Sequence, residues 1–147
     1  MIYLLDTDML IFMIRGLKGG GRQRERRERA SALRDRCRQV QQEGHAVGVS
    51  SITVAELEFG ARNSDRYEEE SAAVQKVLMP FETYDFDAVS CPLHYGRIRQ
   101  ELEQAGATIG AMDLLIAAHA LSLEATLVTN NLAHFRRVSG LKVTDWR

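Results

Sequence analysis

Asp6, Glu56, Asp113 and the Thr129–Asn130–Asn131 cluster are the positions of this chain whose types and spacing suit chemistry. Each stands where a short apolar run stops or a helix-like run begins: Asp6 after IYLL, Glu56 in TVAELEFGA, Asp113 at the head of DLLIAAHALSL, and Thr129 in LVTNNLAHF. An acid directly after an apolar run is costly unless it meets water or a cation. If Asp6, Glu56 and Asp113 converge, two carboxylates about 4 Å apart repel by about 4 kcal/mol at an effective dielectric near 20. A bound cation relieves that repulsion. An all-oxygen donor set without clustered Cys or His favours Mg²⁺ or Mn²⁺ over zinc, and such an ion suits activation of water and screening of a phosphodiester.

Each acid also has a purely structural explanation. Thr53–Val54–Ala55–Glu56 fits a capping box, in which Glu56 returns a hydrogen bond to the start of its helix. Asp113 fits as an anion at a helix N-terminus, Asp6 or Asp8 as a cap of the helix that follows them, and Asn131 as the N-cap of a short helix through Phe135.

The elements that would position these residues alternate. Ile2–Leu5 and Ala46–Ser50 are short, unalternated apolar runs of the kind found in strands covered on both faces. Weaker strand segments are expected at Glu82–Phe86, Thr126–Thr129 and Lys142–Asp145. Helices are expected at Asp8–Arg15, at about 22–43 with the stripe Ala30, Leu33, Cys37, Val40, at Thr53–Arg62, and at Asp65–Met79. Further ones fall within 87–105, with Pro92 forcing a late start or a kink, at Asp113–Leu123, and at Leu132–Val138. Strands alternating with helices predict one α/β domain over 1–147, a three-layer α/β/α sandwich around a central, mainly parallel five-stranded sheet. In such sheets ligands bind beyond the carboxyl ends of the strands, where Asp6, Glu56, Asp113 and Thr129 fall.

At 147 residues the chain is long enough to bury roughly 68–70% of its unfolded surface without staples. With 45% hydrophobic and 27% charged residues and two prolines it has the composition of a soluble globular protein. Cys37 and Cys91 are too few for a disulfide framework, and Asp6 and Asp8 interrupt the apolar N-terminus, so neither secretion nor a membrane span is expected and the cytoplasm is the default. The net charge is −1, but residues 22–38 hold eight arginines against Glu25, Glu28 and Asp35, so that stretch carries +5 and the remainder −6. Such asymmetry fits an anionic partner or a solvated helix face.

Four segments in order, MIYLLDTDMLI, SSITVAELEFGA, YGRIRQELEQAGATIGAMDLLIAAHALSLEATLVTNNLAHF and VSGLKVTDW, resemble the PIN-domain nucleases, and among them the VapC-like toxins of type II toxin–antitoxin systems. The resemblance implies an endoribonuclease that hydrolyses RNA phosphodiesters with Mg²⁺ or Mn²⁺. Asp6 and Asp113 would be metal ligands and Glu56 a further acid of the metal site. Thr129 would support the site through its hydroxyl, with Asn131 and Thr7 as walls. It also implies a homodimer and a VapB-like antitoxin, a small DNA-binding protein whose tail covers the acidic rim. Members often carry a fourth acid at the place of Asn131 or His134. Here neither is a carboxylate, so one well-held metal and a weaker second site are expected.

Two other readings compete. A non-catalytic RNA-binding or scaffold protein fits the missing fourth acid and the arginine-rich segment. Asp6–Thr7–Asp8 also resembles the nucleophile pair of haloacid-dehalogenase-type phosphatases, although Leu10 stands where that motif has Thr or Val. Of the histidines, His119 has the period of a packed core residue, and His45 has no evident partner.

Overall fold

A computed structural model of the chain describes residues 1–17 and 24–147. The elements follow as β1 (Ile2–Leu5), α1 (Thr7–Leu17), α2 (Arg24–Gln42), β2 (Ala46–Ser50), α3 (Ser51–Arg62), α4 (Tyr67–Leu78) and β3 (Glu82–Tyr84), then α5 (Ser90–Gln104), α6 (Ala111–Leu123), β4 (Thr126–Val128), α7 (Leu132–Phe135) and β5 (Lys142–Thr144). The expected alternation is present; β1 and β2 have the expected bounds, and the other boundaries shift by at most three residues. The glycines at 19–21 and the first two residues of the arginine-rich segment lie outside the described residues.

All four strand pairings are parallel, in the order β3-β2-β1-β4-β5. The chain therefore winds from β1 through β2 to β3, then returns to lay β4 and β5 on the other side of β1. The direction of winding reverses between β1 and β4, and in parallel sheets such a reversal opens a crevice at the carboxyl ends of the strands. Asp6 leaves β1 and Thr129 leaves β4 at that crevice. The ladder continues just past both strands, with Asp6 N–H donating to the Val128 carbonyl and Thr129 N–H to the Thr144 carbonyl, each at 2.9 Å.

The runs IYLL and AVGVS have no polar alternation because both faces of the sheet are covered. Leu4 and Leu127 join Ile98, Leu102, Ile116 and Phe135 in one core beneath α5, α6 and α7. Leu5, Val47, Val49 and Val128 join Met9, Met13, Leu33 and Val77 in the other, beneath α1, α2 and α4. The stripe expected on α2 is buried at Ala30, Leu33, Cys37 and Val40. α6 buries Leu114 and Ile116 through Ala120, as a helix apolar nearly all round must. Gly44, at φ +94°, ends the α2 segment in the left-handed region that glycine enters at little cost. Pro92 falls in the first turn of α5, where no intrahelical partner is needed, so it marks a late start and not a kink.

Gly48 sets the approach of β3 to β2. A Cβ at this position would lie 2.4 Å from Tyr84 Cε2 and 2.7 Å from the Glu82 carbonyl oxygen, which as backbone cannot simply rotate away. Gly48→Ala is expected to cost about 1–3 kcal/mol, the usual range for overpacking a filled interior. Urea denaturation would measure it, and an unchanged midpoint would mean that β3 is not held against β2 at this distance.

Candidate active site

Asp6 is 3% exposed, and both of its carboxylate oxygens are engaged. The backbone N–H of Thr7 donates to Oδ1 at 2.8 Å, and the Thr129 hydroxyl donates to Oδ2 at 2.9 Å. The same Thr129 oxygen accepts the Asn131 N–H at 3.0 Å, so the residue that leaves β4 ties the start of the next loop to the acid that leaves β1. These contacts orient the carboxylate without neutralising it. Burial pushes the Asp6 carboxyl up to about 7, Asp8 and Asp113 add repulsion in the same direction, and the two hydrogen bonds only partly oppose them.

Glu56 comes from α3. The Thr7 hydroxyl donates to Glu56 Oε1 at 2.9 Å and lies 2.9 Å from the Thr53 hydroxyl. Since Thr7 has one hydroxyl proton and gives it to Glu56, Thr53 donates to Thr7. The capping-box expectation for Thr53 and Glu56 is therefore corrected. Ser50 is the cap, its hydroxyl accepting the Ile52 N–H at 3.0 Å, and the helix starts two residues earlier, which leaves Glu56 free to reach α1. Burial raises the Glu56 carboxyl, and the charges of Asp113 and Asp8 raise it further.

Asp113 lies in the first turn of α6, whose N-terminus meets those of α1 and α3 at the carboxyl edge of the sheet. His134 of α7 holds its imidazole Nε2 3.0 Å from Asp113 Oδ2. The position where an acid was missed thus carries a ring that contacts an acid already present. Asn131 occupies the N-cap position of α7, but its side chain makes no capping hydrogen bond; it is exposed and enters the network only through its backbone N–H. The N-cap expectation for its side chain is corrected accordingly.

Asp8, one of the two acids expected to cap α1, is exposed in its first turn. Its charge acts on both Asp6 and Glu56, so it belongs to the same acidic rim. The D-x-D spacing was the available signal: it turns two acids toward one helix start. His119 is a core residue, as expected, with Nδ1 2.7 Å from the Ser50 hydroxyl and its ring edge-on to Phe86. His45 finds an aromatic partner that sequence did not suggest, packing edge-on against Tyr3.

Among the described residues, no three His, Cys, Asp or Glu side chains are grouped so as to hold a metal by themselves. The donors still fit a hard cation. They are all oxygen, burial and neighbouring acids raise the Asp6 and Glu56 carboxyls, and Mg²⁺ commonly binds through one or two carboxylates while keeping several waters. Asp6 and Asp113 are the pair such an ion would use.

Residues 3–141 match the PIN domain family. The chain is 34% identical to Ribonuclease VapC2 of Rickettsia felis over 99% of its own length and 98% of the relative's. It is 32% identical to the tRNA(fMet)-specific endonuclease VapC of Shigella flexneri, over 98% and 97% of the two chains. The fold superposes on the crystal structure of VapBC2 from Rickettsia felis bound to a DNA fragment from their promoter, with a TM-score of 0.84, 33% identity and full coverage of both chains. On this agreement of sequence and fold, the chain belongs to the PIN domain family.

Proposed function

We propose that this protein is a metal-dependent endoribonuclease that acts as the toxin of a toxin–antitoxin pair. One observation carries the reading. A buried carboxylate, Asp6, is oriented by Thr7 and Thr129 at the crevice of a parallel sheet, and the charges acting on it, those of Asp8 and Asp113, are acidic. A fold keeps such an arrangement where a cation belongs.

Asp6 and Asp113 would hold Mg²⁺ or Mn²⁺, with Glu56 completing the acidic set. When bound, the ion supplies activation of water and relief of the charge that builds on the phosphoryl oxygens and the leaving group. The chain's own residues do the positioning. Thr129 and Thr7 fix the plane of the Asp6 carboxylate, the Thr7–Thr53 hydroxyl pair holds Glu56, and His134 engages one oxygen of Asp113. Hydrogen bonds of this kind, behind a ligand, typically govern metal affinity by 10–100-fold.

Relatives named as ribonucleases support RNA as substrate. A similar structure named as a VapBC complex on promoter DNA supports a DNA-binding antitoxin as partner and the cytoplasm as the place of action. In the test, purified protein is incubated with structured RNA in Mn²⁺, in EDTA, and in Mn²⁺ as Asp113→Asn. Cleavage is expected in the first condition alone. RNA binding that persists in EDTA with no turnover in Mn²⁺ would return the chain to the class of non-catalytic binding proteins.

A further inference from the structure

The acidic rim poses a problem for its own substrate. Asp6, Asp8, Glu56 and Asp113 repel the phosphates on either side of the one being cut, and a cation at the centre offsets this only locally. The offset needed for the flanking strand lies on the face that carries α1 and α2.

A groove of about 360 Å³ is lined there by Phe12, Arg29, Ala32, Leu33, Trp146 and Arg147. Two stretches of chain lead from it to the rim. Phe12 stands one helical turn beyond Asp8 on α1, and residues so spaced share a face. The chain that supplies Trp146 and Arg147 leaves β5 at Thr144, whose carbonyl accepts the Thr129 N–H, and Thr129 is the residue that holds Asp6. Trp146 is fixed from within, its ring 4.9 Å from that of Tyr3 and the Arg36 guanidinium 5.7 Å from its centroid. Arg29 also touches Glu25, but both side chains are more than two-thirds exposed, and such surface pairs are worth only about 0–1 kcal/mol. Arg147 lies 3.7 Å from Asp145, also near the surface. Either guanidinium can exchange its carboxylate for a phosphate at little cost.

We propose that this groove is a subsite for the single-stranded RNA that flanks the scissile phosphodiester, with an unstacked base or ribose against Phe12 and Trp146 and phosphates on Arg29 and Arg147. Aromatic walls combined with a guanidinium row are the arrangement by which proteins hold single strands with little sequence preference. The planar fork of arginine suits phosphate better than a point charge does. An acidic peptide would satisfy the arginines, but it would gain nothing from continuity with a rim that processes phosphodiesters. This inference rests on the ribonuclease reading and adds to it how the strand is held.

The experiment measures binding of a fluorescein-labelled single-stranded 12-nucleotide RNA to the full chain in EDTA, between about 50 and 200 mM salt, followed by cleavage of the same RNA in Mn²⁺. Two variants test the groove: Arg29→Gln with Arg147→Gln, which removes two exposed charges, and Ala32→Trp, which fills the groove from the exposed face of α2. Arg97→Gln with Arg99→Gln, on α5 across the sheet, makes the same change of charge elsewhere. Each groove variant is expected to weaken binding about tenfold. The double variant should also flatten the slope of log Kd against log salt by about 1.4, since each single-strand phosphate contact contributes roughly 0.7. Wild-type affinity and slope in the groove variants, or no binding of this RNA by the wild type, would overturn the proposal and assign the face to another kind of partner. Groove-dependent binding with no cleavage in Mn²⁺ of either this RNA or a structured RNA would instead remove the nuclease reading and keep the groove. Cleavage indifferent to the groove would do the reverse.

Discussion

Asp6→Asn is expected to abolish RNA cleavage and, in metal-free buffer at pH 8, to raise the melting temperature. The two signs differ because one carboxylate faces two demands. Asp6 is buried among other acids, and its carboxyl is raised to about 7 chiefly by that burial. At pH 8 the metal-free protein must therefore hold an ionised group where the neutral form is favoured. Asparagine keeps the shape, its amide oxygen still accepts the Thr7 N–H, and its amide can donate to the Thr129 hydroxyl oxygen. Relief of about 2 kcal/mol corresponds to roughly 4–8 °C for a chain of this size. The same change removes a ligand charge from the proposed metal site, which supplies several kcal/mol of transition-state stabilisation. A loss of about 4 kcal/mol is about a thousandfold in rate. Single-turnover cleavage in Mn²⁺ and a thermal melt in EDTA measure the two effects. Cleavage at the wild-type rate would sink the assignment of Asp6, and loss of both activity and stability would make the residue part of the scaffold.

The sheet was legible because burial on both faces leaves a mark on single residues. IYLL and AVGVS contain no charged side chain, and a strand inside three layers has no face on which to place one. The arginine-rich helix was legible for the opposite reason: its buried side is a stripe three or four residues apart, and the exposed positions around it can carry charge. Edge strands carry less of this signal. β3, with two of its three residues exposed, reads weakly and is shorter than its sequence suggests.

The site was legible in its members and not in its wiring. That Asp6, Glu56 and Asp113 stand at the ends of apolar runs is local information. That Thr7 holds Glu56 across 49 positions, or Thr129 holds Asp6 across 123, is not. Thr53–Glu56 shows how a local pattern can mislead: the spacing matches a capping box, but Ser50 starts the helix earlier and Thr7 claims the carboxylate. His134 shows the complementary error. A search for a fourth acid finds its absence, whereas the ring that stands there partners an acid from α6, a relation set only when the chain returns to lay β4 beside β1.

That return also makes stability depend on pH in a direction opposite to the usual carboxylate case, and metal should reverse it. A carboxylate that gains a cationic partner on folding is stabilising at high pH. Asp6 is instead raised, from about 3.8 toward 7, so between these values the folded chain holds a proton that the unfolded chain has released. Its contribution is complete below the unfolded value and is lost as pH rises through the folded one. About three units at 1.36 kcal/mol each place the upper limit near 4 kcal/mol, and the raised Glu56 acts in the same direction. His119, lowered chiefly by burial, acts in the opposite direction, so the Asp6 contribution is read as a difference: in EDTA, the melting temperature of the wild type relative to Asp6→Asn should fall between pH 5 and pH 8. A divalent ion takes the ionised carboxylate and must displace a proton where the group is protonated, so its binding is coupled to pH. The increment in melting temperature on adding Mg²⁺ should then be larger at pH 8 than at pH 5, with proton release detectable by titration calorimetry in buffers of different ionisation enthalpy. Equal increments at both pH values, with no proton released, would mean that the ion binds away from Asp6.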